Sequence, residues 1–599
     1  LVTSCFSIGF VVCGLDLRKI GDSPWVGLLL GAAFFLAVFG LRILEPTYIA
    51  WQLTDDPAHL YLGWEYFRHE PWQFPFGKLA GYGTPEGSSI FYTDSIPIAA
   101  LFFKCIRWAL PQPFQYTGLW ILLSYILQGV FGWLLSALNT QSRYCRMLMT
   151  CLFVLSPSML ERSNRHIALV THWIPLAAIY LGLLGAKQFE LRHPNWSWRC
   201  AWTLLLVASG LVHLYICFMV VVIYLSAVGV FAATARWRKA RTYWSLSLPP
   251  IALLVALYLE GGFVVGPQGW TSGAGQFSLF SMNALSPFMP THFDNPESAA
   301  HASYFFDSIK VPNAGYHEGF NYLGLGTLGL LALALPVLAG GAVLRGQLAR
   351  PAEDERQLLS FGPQLATWIA CLSLAGLSLS NEIHWGLERL ASYHMGPTLQ
   401  RYADIFRSSG RFFWPLGYLL LWLGMRSSRL LAAHRVNLQV TVLHAAVTLQ
   451  LLDSSELIKQ YEKSHATVVH FDTPFKSQFW ATTIPHFKDI FYYPSYDITY
   501  YVQLGVLAAP HGVGINVVFK PRSNPDGDHG ESRRLEEGLR AGTLRSGTLY
   551  IFKDKALLAE LRRRLPQGRY ILREVDGFCV AGLSAVHAGD NPAPGRSEA

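Results

Sequence analysis

Apolar runs about as long as a bilayer is thick recur from Pro24 to Leu452, and they decide what this chain can fold into. A helix of ~20 apolar residues crosses the hydrocarbon core, and the stretches Pro24 to Leu44, Tyr116 to Leu138, Ile167 to Leu184, Leu246 to Val265, Leu323 to Leu344 and Val436 to Leu452 approach or meet that length. Shorter or interrupted stretches lie between them: Arg146 to Leu160, Ala201 to Leu214, Tyr215 to Ala233, Phe361 to Ser380 and Phe412 to Met425. Ala201 to Ala233 cannot be one helix, which would be roughly 50 Å long, so the spacing predicts a hairpin turning at Val212-His213. With 52% hydrophobic and 14% charged residues among 599, the chain has more apolar surface than one soluble core can hide. The expected fold is an α-helical polytopic membrane protein of about 11–12 transmembrane helices.

The net charge of +8 does not point to nucleic acid, because the basic residues sit in short connectors that orient helices in a bilayer. Arg18/Lys19, Arg143/Arg146, Lys187/Arg192/Arg199, Arg236/Arg238/Lys239/Arg241, Arg345/Arg350/Arg356 and Arg426/Arg429/Arg435 alternate with poorly basic connectors, which places these clusters in the cytoplasm. That alternation needs Ser89 to Trp108, with its Asp94, Lys104 and Arg107, to be a partial or interfacial segment. Counting it as a full span requires two other segments to merge. Either way, long connectors at 45–115, 266–322 and 381–411 fall on the outer face, and loops of that length are usually functional or disordered. The aromatic content of 266–322 argues for order.

After Leu452 the pattern becomes that of a soluble α/β domain. Ala466 to Phe471, Asp489 to Tyr493, Ile515 to Lys520 and Thr548 to Phe552 read as strands, and Tyr500 to Ala508, Glu531 to Ala541 and Lys555 to Leu565 as helices. The expected organisation is a membrane domain at 1–452, an extracytoplasmic α/β domain at 453–588 and a disordered tail at 589–599. Asn524 to Gly530 resembles part of a calcium loop but lacks the later glutamate, and reads as a surface turn. The nine cysteines are scattered, without disulfide or metal-ligand spacing, and a divalent-metal requirement stays open. The chain opens on Leu1 and shows no signal peptide.

The polar residues that invite chemistry lie in the outer loops. Asp55-Asp56-Pro57 follows the first apolar segment, and carboxylates at a membrane surface are functional candidates. The same residues also read as a helix start, with Asp56 as N-cap, Pro57 first in the helix, and Leu60, Trp64 and Phe67 on one apolar face. Arg407 and Arg411, four apart beside the outer end of a span, suit an anion at headgroup depth, or else snorkel to lipid phosphates. Asp94, His166 and Glu318 are second-rank candidates for ligand binding, although a lone polar residue at a span end usually marks the interface. Trp64, Trp72, Tyr82 and Tyr92 can stack on a ring or form an interfacial belt.

A set of local motifs makes the pattern more specific: Asp56-Pro57, Leu62-Gly63-Trp64, Phe67-Arg68, Pro71-Trp72, Tyr82-Gly83, Tyr92-Thr93-Asp94-Ser95-Ile96-Pro97 and Phe406-Arg407-Ser408-Ser409-Gly410-Arg411-Phe412. With a first span, a large outer loop opening on an acid, many further spans and an external C-terminal domain, the chain resembles the GT-C superfamily of polyprenyl-phosphate-dependent glycosyltransferases. Within it, the chain is similar to a group of bacterial multi-pass membrane proteins of unassigned reaction. The resemblance implies residence in the bacterial cytoplasmic (inner) membrane and inverting transfer of a sugar from a polyprenyl-phosphate donor. The acceptor would be a glycan, lipid or protein at the outer face. It also implies that Asp56, with Asp55 as second choice, is the general base, and that Arg407 and Arg411 bind the donor phosphate. One essential carboxylate suffices, since the departing polyprenyl phosphate is already a stable anion, unlike the leaving group of a hydrolase. No nucleotide-phosphate loop follows a strand, so a soluble nucleotide-sugar donor is not supported, and the resemblance implies the polyprenyl-phosphate sugar as donor substrate with no certain cofactor. The alternative classes are a transporter, which would carry charge mid-span in two repeated halves, and a non-catalytic membrane component of a polysaccharide or envelope assembly system.

Overall fold

Proline and polar side chains set where the apolar stretches become helices. The structure, a computed structural model, describes residues 24–163, 165–189, 196–234, 240–264, 276–291, 302–340, 361–432, 435–460, 471–520, 530–566 and 568–583. Each apolar stretch carries helix: Trp25–Phe39, Thr117–Ala137, Arg143–Val154, Pro157–Arg162, Trp173–Phe189, Trp196–Gly210, Leu214–Thr234, Ala240–Glu260, Leu325–Gly340, Phe361–Ser378, Trp414–Leu431 and Val436–Asp453. The hairpin turns at Leu211–His213 as expected. The stretch from Arg146 to Leu160 divides because Pro157 forces Ser156 out of helical geometry, at ψ 117°, and opens a new helix.

Length tempers the membrane reading. Among the described residues, Thr117–Ala137 and Ile167–Leu184 are long and apolar enough to cross a membrane, and five further apolar helices are shorter. The expected 11–12 spans are not reached on that measure. Val436–Asp453 fails it through polar residues at Asn437, Gln439, His444 and Gln450. Two of its polar groups serve neighbouring backbone: the Gln450 amide donates to the carbonyls of Leu155 and Leu323, and Asp453 accepts from Leu325 N (2.8 Å), Tyr322 Oη (2.7 Å) and Ser303 Oγ.

The chain forms two compact units, one of residues 1–48, 115–256 and 273–467, the other of 49–114, 257–272 and 468–599. This division does not fall at 452/453: residues 49–114 belong with the C-terminal residues. In the first unit, Trp25–Phe39 packs along Thr117–Ala137 with backbones nearly touching. A Cβ at Gly27 would lie 2.4 Å from the Gly129 carbonyl oxygen, and one at Gly31 2.1 Å from that of Tyr125. Small residues four apart permit this approach.

The second unit is built on a five-stranded sheet in the order Gly514–Ile515, Asp489–Tyr493, Thr548–Phe552, Phe578–Leu583, Tyr570–Val575. The first three strands are parallel and the last two form an antiparallel hairpin. Asp489–Tyr493 and Thr548–Phe552 match the expected strands. Ile515 to Lys520 shortens to a two-residue strand, and the hairpin was not anticipated. Leu557, Leu558 and Leu561 of the helix Lys555–Arg564 pack on Phe491, Tyr550 and Phe552, an apolar stripe over a buried sheet face. The loop segment at Gly81–Thr84 joins the sheet edge, exchanging backbone hydrogen bonds with Ile515 at 2.9 Å. The strand expected at Ala466 to Phe471 (but for its last residue), most of the calcium-like turn and the tail from 589 lie outside the described residues.

Ser89 to Trp108 is not a span. Its helix, Pro97–Cys105, has nine residues, or roughly 14 Å. The preceding turn is strained, with Asp94 and Ile96 both at φ 53°, a conformation rare for β-branched Ile. It is braced against the helix Asp55–His69: Ser95 Oγ donates to the Leu60 carbonyl at 2.9 Å and pairs with Thr93 Oγ1 at 2.7 Å. A Cβ at Gly63 would meet those hydroxyls at 2.3–2.4 Å, so the Leu-Gly-Trp and Tyr-x-Asp-Ser-Ile-Pro motifs are two sides of one contact.

Candidate functional site

The sequence candidates fall into two groups, one in each unit. In the second unit the helix Asp55–His69 carries the acidic motif. Thr54, extended at φ −130° and ψ 148°, is its N-cap residue, so Asp56 is second in the helix and Pro57 third. This corrects the expected cap: Asp56 is not the N-cap, and proline fits the first turn because those backbone N–H groups have no intrahelical acceptor. Asp56 is half-buried. The side chain of Asp55 lies outside the described residues.

The rest of that helix is fixed by polar groups on every side. His59 bonds Tyr82 Oη through Nδ1 (2.8 Å) and the Tyr92 carbonyl through Nε2 (3.1 Å), and Tyr66 Oη donates to the Val513 carbonyl (3.1 Å). Trp64 is 1% exposed, with Nε1 donating to the Phe114 carbonyl at 2.9 Å, and Tyr92 is 7% exposed, with its hydroxyl on the Gly262 carbonyl at 2.6 Å. Tyr82 is wholly buried. These rings are packing elements rather than open stacking faces, and of the four aromatic candidates Trp72 alone is exposed. Asp94, half-buried, sits in the strained turn.

Near that turn, Lys104 is buried with its ammonium 3.8 Å from the centroid of Phe67 and 4.7 Å from that of Trp72. Burial pulls the ammonium down to about 8, a fall that Glu70 opposes and Arg107 adds to. A value lowered from the unfolded one makes a contribution to stability that is present above the unfolded pKa and lost as pH falls through about 8. Thermal melts stepped from pH 7 to pH 10 should therefore show wild type gaining stability relative to Lys104→Met with rising pH.

In the first unit, Glu318 gathers cations from three other segments. It lies on the turn Ala314–Gly319. Its Oε2 accepts from Arg162 Nη1 (2.8 Å) and from Arg411 Nε (2.9 Å) and Nη2 (2.8 Å), and its Oε1 pairs with His166 Nε2 (2.8 Å). Arg162 Nη2 also donates to the Glu318 carbonyl, and its Nε lies 3.0 Å from Glu161. Burial works to raise the Glu318 carboxyl, but Arg411, Arg162 and His166 together hold it well below the ordinary carboxylate range. Glycine allows this convergence: a Cβ at Gly410 would sit 2.6 Å from Gly319 Cα, and Asn321 Nδ2 bridges the carbonyls of both glycines.

The structure thus joins three sequence candidates, His166, Glu318 and Arg411, and adds Arg162, which reads in sequence as one more charge near a helix end. Arg407 is elsewhere: half-buried, it donates to the neutral Gln276 side chain at 2.9 Å and lies over Phe280. The two arginines therefore have different partners, Gln276 for Arg407 and Glu318 for Arg411. Among the described residues no three His, Cys, Asp or Glu side chains converge as a metal site.

These features belong to a largely helical chain with a small C-terminal sheet and, among the described residues, two helical segments of membrane-crossing length. The chain is a member of the family described as "Domain of unknown function (DUF6311)", matched over residues 28–455, and residues 479–583 match the DUF6311 C-terminal domain. No curated protein matches it. Among solved structures it is similar to the archaeal oligosaccharyltransferase AglB from Archaeoglobus fulgidus, in complex with an inhibitory peptide and a dolichol-phosphate. That similarity has a TM-score of 0.42 and 12% identity, and covers 95% of this chain and 75% of that one.

Proposed function

We propose that this chain is a polytopic glycosyltransferase of the bacterial cytoplasmic membrane, moving a sugar with inversion from a polyprenyl phosphate to a glycan, lipid or protein acceptor at the outer face. Asp56 is the general base. The observation that carries this reading is its placement: a half-buried carboxylate in the first turn of a helix otherwise locked in place, where the capping position belongs to Thr54. A base held on a rigid element can meet an acceptor hydroxyl in fixed geometry. The motifs from Asp56-Pro57 to the Arg407–Arg411 segment support the same reaction class, although fold alone does not fix activity.

Arg407 is the primary donor-phosphate group, because its described partners are neutral. Arg411 acts through Glu318 and orders the segment that carries Arg407. Arg407→Ala should weaken donor binding by about 1.5–3 kcal/mol with little change in melting temperature, and Arg407→Lys should recover only part of the loss. Equilibrium binding of a labelled polyprenyl-phosphate sugar to purified variants measures this. The reaction itself is tested by incubating membranes containing the protein with a panel of labelled polyprenyl-phosphate sugars and candidate acceptors. Transfer of label supports the reading. Failure of every donor to transfer, with the protein folded, favours the transporter or non-catalytic assembly role.

A further inference from the structure

A polar cleft in the first unit lies among the helices Arg143–Val154, Pro157–Arg162, Leu325–Gly340 and Trp414–Leu431. It holds about 370 Å³ of atom-free space including its mouth, of which about 30 Å³ is wide enough for the centre of a water molecule. The deep part thus suits two oxygen-sized groups, and the mouth suits a single small ring. Among the described residues no Asp, Glu, Lys or Arg lines it.

Three lining side chains, His172, Asn321 and Trp414, are at most 2% exposed, and each has a polar atom without a hydrogen-bond partner in the protein: His172 Nε2, Asn321 Oδ1 and Trp414 Nε1. Their chemistry can be assigned from the bonds they do make. Tyr418 Oη donates to Ser156 Oγ at 3.1 Å and accepts from Gln128 Nε2 at 3.1 Å. With its one proton used, Tyr418 Oη must accept from His172 Nδ1, 2.8 Å away, which leaves Nε2 a bare acceptor. Asn321 Nδ2 donates both hydrogens, to Gly319 and Gly410, so Oδ1 is also a bare acceptor. Trp414 supplies one donor, with its ring 4.2 Å from that of His172.

Two acceptors and one donor in an uncharged, aromatic-walled cleft call for a neutral ligand that both donates and accepts. A phosphate brings a negative charge that no lining cation balances, and its mostly bare oxygens face two acceptors, so it is disfavoured there. We propose that this cleft binds a neutral polyhydroxyl ligand, a single sugar ring, with adjacent hydroxyls donating to His172 Nε2 and Asn321 Oδ1 and one accepting from Trp414 Nε1. This stands apart from the role of Asp56, because binding can be read without turnover.

The test uses the full chain in a detergent without a sugar headgroup, titrated calorimetrically with methyl hexosides, with cyclohexanol as a ring-sized control and with inorganic phosphate. One or more hexosides should bind in the millimolar range or tighter, and cyclohexanol and phosphate should not. His172→Asn keeps the bond to Tyr418 and loses Nε2, and Trp414→Phe keeps the ring and loses the donor. Each should weaken hexoside binding by roughly tenfold or more. No hexoside binding to folded wild type, phosphate binding in preference to hexosides, or unchanged affinity in both variants overturns the proposal, and the polar atoms are then served by water alone.

Discussion

Asp56→Asn should lower sugar transfer by roughly 10²–10⁴-fold, the usual contribution of a positioned base, while leaving the fold and donor affinity intact. The structure makes this a clean substitution. Thr54 is the N-cap residue, so Asp56 does not hold the capping position, and asparagine forfeits the favourable meeting of a carboxylate with the helix dipole, up to about 2 kcal/mol at a partly buried site. Asparagine keeps shape and hydrogen-bonding capacity but cannot take up a proton from an acceptor hydroxyl. Initial rates with a saturating donor, set beside melting temperatures of both proteins, read the two effects separately. Full activity in the variant would leave Asp56 a structural residue and remove the base from the mechanism. A loss of activity that tracks a collapse in melting temperature would do the same.

How much of this was legible in the sequence depends on the range over which each feature is determined. Helix positions were legible because apolar runs, Pro157 and the His213 turn act locally. The strands Asp489–Tyr493 and Thr548–Phe552 were legible as short apolar runs between turn signals. The hairpin Tyr570–Val575/Phe578–Leu583 is less legible because Arg573-Glu574 breaks the apolar run of its first strand, although its turn, Asp576-Gly577 with φ of 49° and 81°, is a hairpin signal. The partnership of residues 49–114 with the C-terminal sheet, through Tyr66 and Val513 and through Gly81 and Ile515, joins residues more than 400 positions apart, and no local pattern encodes it.

The motifs behaved unevenly for a physical reason. Gly63, Thr93 and Ser95 are matched because the two hydroxyls fill the space a Cβ at Gly63 would take, and Gly410 because Gly319 abuts it. Trp64 and Tyr92 are large because they fill a core and still satisfy their polar ends on carbonyls. A motif read from sequence does not separate such fits from chemistry, and only exposure and partners do. Among the motif residues, Asp56, Asp94 and Arg407 keep partial access to solvent, whereas Arg411 is turned into the protein against a carboxylate.

Glu318→Gln should be the most damaging single change to stability in the first unit, costing about 3–5 kcal/mol. The carboxylate is 5% exposed and shared by Arg162, Arg411 and His166, and a neutral amide would take the counter-charge from buried Arg411 and leave Arg162 with Glu161 alone. Because the Glu318 carboxyl is held below its unfolded value, its contribution is complete above about pH 4.3 and is lost as pH falls further toward the folded value. Thermal melts from pH 7 downward should show wild type losing stability on acidification and converging on the variant. Replacing the cluster together with the second acid that Arg162 serves, as Glu161→Leu, Arg162→Met, Glu318→Leu and Arg411→Met, should recover much of the stability, since apolar groups of similar volume can substitute for a buried ion network. If Glu318→Gln melts within about 1 kcal/mol of wild type, the cluster is hydrated and contributes little. If instead the quadruple variant is as stable as wild type yet fails to bind a polyprenyl-phosphate sugar, the ion network serves to position the Arg407 segment rather than to hold the fold.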